Sequence, residues 1–339
     1  MISFVWYSEA PFLAGVGGTE TFTAGVIREL QHRNIPSQIA TIGFGEQDGR
    51  LDFPDIPFTA LNSPADAATL PGTVIFATDP PPSLVAYPAY FMMHLPIWLY
   101  KERAETYRQA LIGRKLIANS LFAAGEWERF LKLPPKSVPV VYPFADEAFG
   151  QQLPLPQNDG KLRVLFANRL NVDKGIYTFM AALHNPHLFD DPRFIFTVVS
   201  AAAHSPQGAV IKKLVEAHPM LKVVAPATTP QAMAKLLAIQ DVVVVPSSMR
   251  TWRETFGMIS VEAQNVGCRV VASDNGGLPE TDCGGLILVE PDNPVTLAEG
   301  ILKATKLGRL SDAERVAAAK KFTVQQSVDQ LLAAIDYKP

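Results

Sequence analysis

The chain has 339 residues, long for one hydrophobic core and comfortable for two. Apolar residues make up 48% and charged residues 19%, which argues against a disordered chain, and two cysteines exclude a disulfide scaffold. The formal net charge of −3 leaves no global basic field for nucleic acid, so no nucleic-acid partner is expected.

The first nine residues carry no basic segment and read as a β-strand at 2–7, not as a signal peptide. A helix is expected at Thr19–Arg33, with Phe22, Val26, Ile27 and Leu30 on one side. Further strands are expected at 37–41, 73–76, 89–93, 115–118 and 138–141, and a helix at 121–130. Proline is over-represented at 28 residues, seventeen of them before residue 157, which demands short rigid connections. Residues 80–100 carry no formal charge and are long enough to span a bilayer. Pro80, Pro81, Pro82, Pro88 and Pro96 would each cost about 3 kcal/mol inside such a helix, so a short strand between turns fits better. A cytoplasmic protein is expected, with Cys268 and Cys283 as reduced thiols.

A polar Pro/Gly segment at 150–161 has no period and reads as a linker. Beyond it, strands are expected at 163–166, 194–199, 222–224, 242–245, 269–272 and 285–288. The β-α alternation calls for an α/β protein with two parallel-sheet, Rossmann-like domains, 1–152 and 153–321. Ligands of such sheets sit outside the carboxyl ends of the strands, so two facing domains imply a central cleft.

The most informative stretch is Val242 to Glu280. After the apolar run come Pro246-Ser247-Ser248 and then Glu254-Thr255-Phe256-Gly257-Met258-Ile259-Ser260-Val261-Glu262. A helix beginning near Phe256-Gly257 would turn Ile259, Val261 and Ala263 inward and end at Gly267. It would set the two glutamates about 12 Å apart, the scale of an extended nucleotide sugar. One carboxylate could then bind sugar hydroxyls and the other a ribose diol, with free N–H groups at the helix start offering an anion site. On spacing alone, two surface glutamates beside an ordinary helix are the commoner arrangement.

Glu254 to Glu262 with Phe-Gly between, followed by Gly276-Gly277-Leu278-Pro279-Glu280, resembles the E-x7-E region of retaining glycosyltransferases of the GT-B fold, in particular glycosyltransferase family 4. Arg163 to Gly175 resembles that family's strand, Gly-Arg-Leu and Lys-Gly segment, and Ile117-Ala-Asn-Ser120 its "ANS" strand end. Gly17-Gly18-Thr19-Glu20 resembles its Gly-Gly-x-Glu loop, and His94 stands where the family keeps a histidine. Asn168 departs from the family's glycine and Pro143 from its turn asparagine.

The resemblance implies a retaining transfer from a nucleotide sugar to a hydroxyl acceptor, by front-face attack in which the leaving phosphate takes the acceptor proton. It implies Arg169, Lys174, Glu254 and His94 as catalytic residues. Gly17, Gly18, Arg169, Lys174, Glu254, Phe256, Gly257, Met258, Ile259 and Glu262 would contact the donor. The helix 322–339 would cross back to the first domain. No two aspartates stand in Asp-x-Asp spacing, so no metal and no cofactor are expected, and Arg169 and Lys174 would stabilise the leaving diphosphate. UDP- or GDP-sugar is the expected donor, and a sugar, lipid-linked or small-molecule hydroxyl compound the acceptor.

Residues 101–136 hold eight Lys/Arg against four Asp/Glu, a modest and dispersed excess that limits membrane association to the periphery, at the inner face. Gly15 to Glu20 fails the dinucleotide fingerprint because Glu20 holds its sixth position. His184 and His187 read as loop residues. A nucleotide-sugar 2-epimerase of similar fold and a non-catalytic sugar-binding protein are the alternatives.

Overall fold

In the computed structural model, residues 1–14, 17–78, 89–95, 97, 104–111, 114–155, 157–203 and 205–338 are described. The chain divides into two compact units, Met1–Phe144 with Val324–Pro339, and Ala145–Thr323.

The first unit contains β1 (Ile2–Trp6), α1 (Gly18–His32), β2 (Ser37–Ile42), β3 (Phe58–Leu61), β4 (Thr73–Phe76), β5 (Tyr90–Met93), α2 (Ala104–Leu111), β6 (Lys115–Ala118) and α3 (Leu121–Leu131). Its six strands form one parallel sheet in the order β3-β2-β1-β4-β5-β6. Every residue of β1 and β2 is buried, as a sheet covered on both faces requires. The expected stripe of α1 is buried, and Gly25 lets the helix approach Phe144, whose ring would lie 2.3 Å from an added Cβ. The C-terminal helix Val324–Ala334 packs against α1. Arg33 meets Asp329 at 2.5 Å, and Ser327 Oγ donates to the Tyr142 carbonyl at 2.6 Å.

The second unit contains α4 (Glu147–Gln151), β7 (Leu162–Phe166), α5 (Ile176–Ala182), α6 (Pro186–Phe189), β8 (Phe194–Val199), α7 (Pro206–Ala217), β9 (Leu221–Val224), α8 (Pro230–Ala238), β10 (Val242–Val245), α9 (Met258–Val266), β11 (Arg269–Ser273), β12 (Leu286–Val289), α10 (Pro294–Leu307) and α11 (Asp312–Ala318). Its parallel sheet runs β12-β11-β10-β7-β8-β9. The four valines of β10 lie at its centre, each about 1.5–3 kcal/mol more favourable buried than exposed.

In both sheets the chain first builds outward on one side of its first strand and then on the other. The order therefore reverses between β1 and β4 in one unit and between β7 and β10 in the other. Loops leave such a switch point in opposite directions and open a crevice at the strands' carboxyl ends.

Several expectations need correction. The unit boundary falls between Phe144 and Ala145, not at 152, and the C-terminal segment of the first unit begins at Val324. The expected linker at 150–161 begins inside α4, which Asp146 caps at the Ala148 N–H and whose Phe149 is buried. Residues 138–141 make one bridge, Val140 to Ala118, rather than a strand, because Pro139 has no N–H for a ladder. Strand β3 was not expected. In α9, Val261 and Ala263 point inward but Ile259 is only half-buried, and Ser260, Gln264 and Asn265 are buried instead. Of the run 80–100, Tyr90–Met93 is β5, whereas Pro80, Pro81, Pro82, Pro88 and Pro96 lie outside the described residues. No helix among the described residues is long and apolar enough to cross a membrane.

Candidate functional site

At the β7/β10 switch point, three loops are fastened together by glycines. Gly175, at φ +74°, lies so close to the end of β10 that an added Cβ would fall 1.7 Å from the Pro246 carbonyl oxygen. A Cβ on Gly276, at φ +62°, would fall 2.1 Å from the Glu254 carbonyl oxygen and one on Gly277 2.2 Å from that of Thr255, and the Gly277 N–H donates to the Glu254 carbonyl at 2.7 Å. Asn275 Nδ2 donates to the carbonyls of Ser247 and Trp252, pinning the loop between β10 and α9 from below.

These constraints bring Lys174 and Glu254, 80 residues apart in sequence, into direct contact. Lys174 Nζ donates to Glu254 Oε1 at 2.6 Å, and each residue is 8% exposed. Ser247 Oγ donates to the same oxygen at 2.7 Å, and Trp252 Nε1 to Oε2 at 3.3 Å. The ammonium also stands 5.1 Å from the centre of the Trp252 ring. Burial works to raise the Glu254 carboxyl, but the Lys174 charge and the three hydrogen bonds outweigh it and hold it below its ordinary value. Beside this pair, Asp173 is buried with Oδ1 accepting no hydrogen bond among the described residues, and desolvation raises its carboxyl. Nδ2 of Asn168, the residue that departs from the family pattern, is likewise unpartnered.

The loop continues into α9. Gly257, its N-cap, has φ +112°, and a Cβ there would meet Leu278 Cδ2 at 2.5 Å, so glycine is required. No side chain caps α9, and Gly257, Met258 and Ile259 are half-buried, which leaves the helix N-terminus accessible to an anion. Glu262, one turn along, is half-buried; desolvation and then the nearby Asp146 charge push its carboxyl up to about 7. Phe256 is 2% exposed and packs edge-on against Phe322 at 5.2 Å, so its ring belongs to the core and only its backbone faces the loop. Arg169 is exposed on the loop after β7.

Of the expected residues, the second unit thus joins Lys174 to Glu254 and sets Arg169, Gly257, Met258, Ile259 and Glu262 around the same carboxyl ends. The family resemblance implies a diphosphate for Lys174 and a sugar for Glu254; in the structure the two side chains neutralise each other. The supporting roles of Ser247, Trp252, Asn275 and Asp173 were not foreseen, although Trp252 lies two residues before Glu254 and Asp173 one before Lys174.

Gly17, Gly18 and His94 belong to the first unit. Its β1/β4 switch point holds a cavity of about 530 Å³, lined among others by Trp6, Tyr7, Glu20, Thr78, His94 and Tyr107. Thr78 Oγ1 accepts from the Tyr7 N–H at 2.9 Å and donates to the Tyr7 carbonyl at 2.6 Å, tying the ends of β1 and β4 together. His94 packs edge-on against Phe22, and burial pulls its imidazole down to about 4, so it is neutral at pH 7. Gly17 is the N-cap of α1, and a Cβ on it would meet Glu20 Oε2 at 2.7 Å. The expected approach of a sugar phosphate at Gly17 and Gly18 therefore meets a carboxylate already in place.

Residues 151–322 match the family described as Glycosyl transferases group 1. A D-inositol 3-phosphate glycosyltransferase of Streptomyces bingchenggensis is 29% identical over 231 residues, covering 59% of this chain and 49% of that protein. The chain spans about half the length of the curated relatives it matches. Among solved structures, a glycosyltransferase from Rickettsia africae superposes with a TM-score of 0.75 at 19% identity over 98% of this chain and 97% of that one. Anabaena HepE in complex with UDP-glucose superposes with a TM-score of 0.72 at 18% identity over 99% of each chain. The two parallel six-stranded sheets with their helices are the Rossmann-like domains of the GT-B fold. With half of its length matched by the family, the chain belongs to the glycosyl transferases group 1.

Proposed function

We propose that this chain is a retaining, metal-independent glycosyltransferase of family 4 that moves a sugar from a nucleotide-sugar donor to a hydroxyl acceptor in polysaccharide, lipopolysaccharide or glycoconjugate biosynthesis. The observation that carries the reading is the buried Lys174–Glu254 pair at the switch point beside the uncapped start of α9, inside the segment that matches the family. The complex of Anabaena HepE with UDP-glucose supports a nucleotide-sugar donor.

On this reading the second unit holds the donor. Glu262 accepts from the ribose diol, and the N–H groups of Met258 and Ile259 with Arg169 meet the diphosphate. As the glycosidic bond breaks, negative charge gathers on that diphosphate, and donors already in place there lower the barrier. Lys174 turns toward the diphosphate, which frees Glu254 for a hydroxyl of the transferred sugar. With Lys174 turned away, Ser247 still donates to one oxygen of Glu254 and Trp252 to the other, which makes it a poor nucleophile and favours front-face attack with the leaving phosphate accepting the acceptor proton. His94, neutral at pH 7, would hydrogen-bond sugar hydroxyls. The chain would work in the cytoplasm, at most peripherally attached to the inner membrane face.

A thermal-shift screen against UDP-, GDP-, ADP- and dTDP-sugars tests the donor assignment, since a ligand at 100 times its Kd stabilises the fold by about 2.7 kcal/mol. One nucleotide class is expected to raise the midpoint; a flat response across the panel contradicts the proposal.

A further inference from the structure

The cavity of the first unit has a chemical character of its own. At about 530 Å³ it lies within the range of roughly 300–1,000 Å³ common for small-molecule pockets, and it sits at the carboxyl ends of β1, β4 and β5. Its lining combines the apolar walls of Trp6 and Met92 with the hydroxyls of Tyr7, Thr78 and Tyr107 and with two carboxyls, Glu9 and Glu20.

Glu20 is 8% exposed and makes no hydrogen bond to another described residue. Its carboxyl stands beside Gly17 at the N-terminus of α1. A helix N-terminus is where a phosphate would otherwise bind, and here the chain fills that place with its own acid. Burial raises the Glu20 carboxyl by desolvating its charged form, and in that ionised form a second negative charge beside it is opposed by repulsion in a water-poor cavity. The neighbouring imidazole of His94 carries no compensating charge at pH 7. A hydroxyl or an ammonium group, by contrast, supplies the donor this acid lacks.

We infer that the β1/β4 cavity binds a non-anionic polyhydroxyl acceptor, uncharged or amine-bearing, through Glu20 and the surrounding hydroxyls, and discriminates against phosphorylated acceptors. The inference rests on the glycosyltransferase reading and specifies the acceptor class that the reading leaves open.

The test is calorimetric titration of the full chain with glucose, glucosamine and glucose 6-phosphate, which share a scaffold and differ in charge. Glucosamine or glucose is expected to bind at least tenfold more tightly than glucose 6-phosphate. Glu20→Gln, close in shape, is expected to shrink that ratio at least threefold, and Glu9→Gln, on the exposed rim, to change it less. Equal or tighter binding of glucose 6-phosphate, or no binding of any of the three at millimolar concentration, overturns the inference. So does a Glu20→Gln variant that folds and keeps the full ratio. Nucleotide-sugar binding, measured on the same samples, reports separately on the donor assignment: if it persists while the phosphate ester is preferred, only the acceptor inference falls.

Discussion

Between β7 and β10 the chain fills its crevice with an ion pair of its own, whereas between β1 and β4 it leaves a cavity of about 530 Å³. Both crevices arise from the same sheet order, so the difference comes from loop chemistry. In the second unit, glycines draw the backbone so close that two side chains of opposite charge meet out of water. In the first, one buried acid has no partner of opposite charge among the described residues, and hydroxyl groups surround it. A self-neutralised site must be opened by a ligand able to replace the partner; on the proposed function, a diphosphate would take the place of Glu254 beside Lys174. An unneutralised acid awaits a donor group.

The largest expected effect breaks the comparison at its paired end. Lys174→Ala strands a buried carboxylate and should cost about 3–5 kcal/mol in denaturant unfolding. Lys174→Ala combined with Glu254→Gln should recover part of that loss, and strict additivity of the two changes would show that they do not interact. Gly175→Ala comes next. Its Cβ would collide with a backbone carbonyl oxygen, so a cost of at least about 2 kcal/mol is expected. Gly160→Ala, also at positive φ but with open space around it, should cost about 1 kcal/mol. Equal losses in the two variants would remove steric crowding as the reason for Gly175.

Glu262 provides a test by pH. With its carboxyl raised from 4.5 to about 7, the folded chain binds this proton more tightly than the unfolded chain. Its contribution therefore turns unfavourable as pH rises from about 4.5 to 7 and stays so above. Glu262→Gln should flatten that part of the stability profile and gain about 1–3 kcal/mol at pH 8; an unchanged slope would show that Glu262 titrates normally. In the open crevice, Thr78→Val removes both bonds to Tyr7 and should cost about 1 kcal/mol, no more than Gly160→Ala.

The sequence made some of this architecture plain and hid the rest for identifiable reasons. Four consecutive β-branched valines in a short run favour a buried parallel strand, and β10 is that strand. The stripe Phe22, Val26, Ile27 and Leu30 announced α1. Val138-Pro139-Val140-Val141 had the composition of a strand, but its proline leaves one bridge. Strand β3 has two half-buried residues and one exposed, too little hydrophobic pattern to stand out. At the site, Lys174, Glu254 and Glu262 were legible as a set. That Lys174 binds Glu254 was not, because residues 80 apart meet only through the glycine contacts of the folded loops. Phe256 was counted among the donor contacts, yet the turn at Gly257 sends its ring into the core. The acid of Gly17-Gly18-Thr19-Glu20 was read as part of a loop motif, and only the fold shows that it lines a cavity.

The most direct test is calorimetric titration of UDP-glucose and GDP-mannose into the wild-type chain and into Glu262→Ala, without acceptor. One of the two donors is expected to bind with a micromolar Kd, and Glu262→Ala to weaken it at least tenfold. Absence of binding by either, or equal affinity in the variant, would contradict the placement of a nucleotide sugar at the β7/β10 switch point.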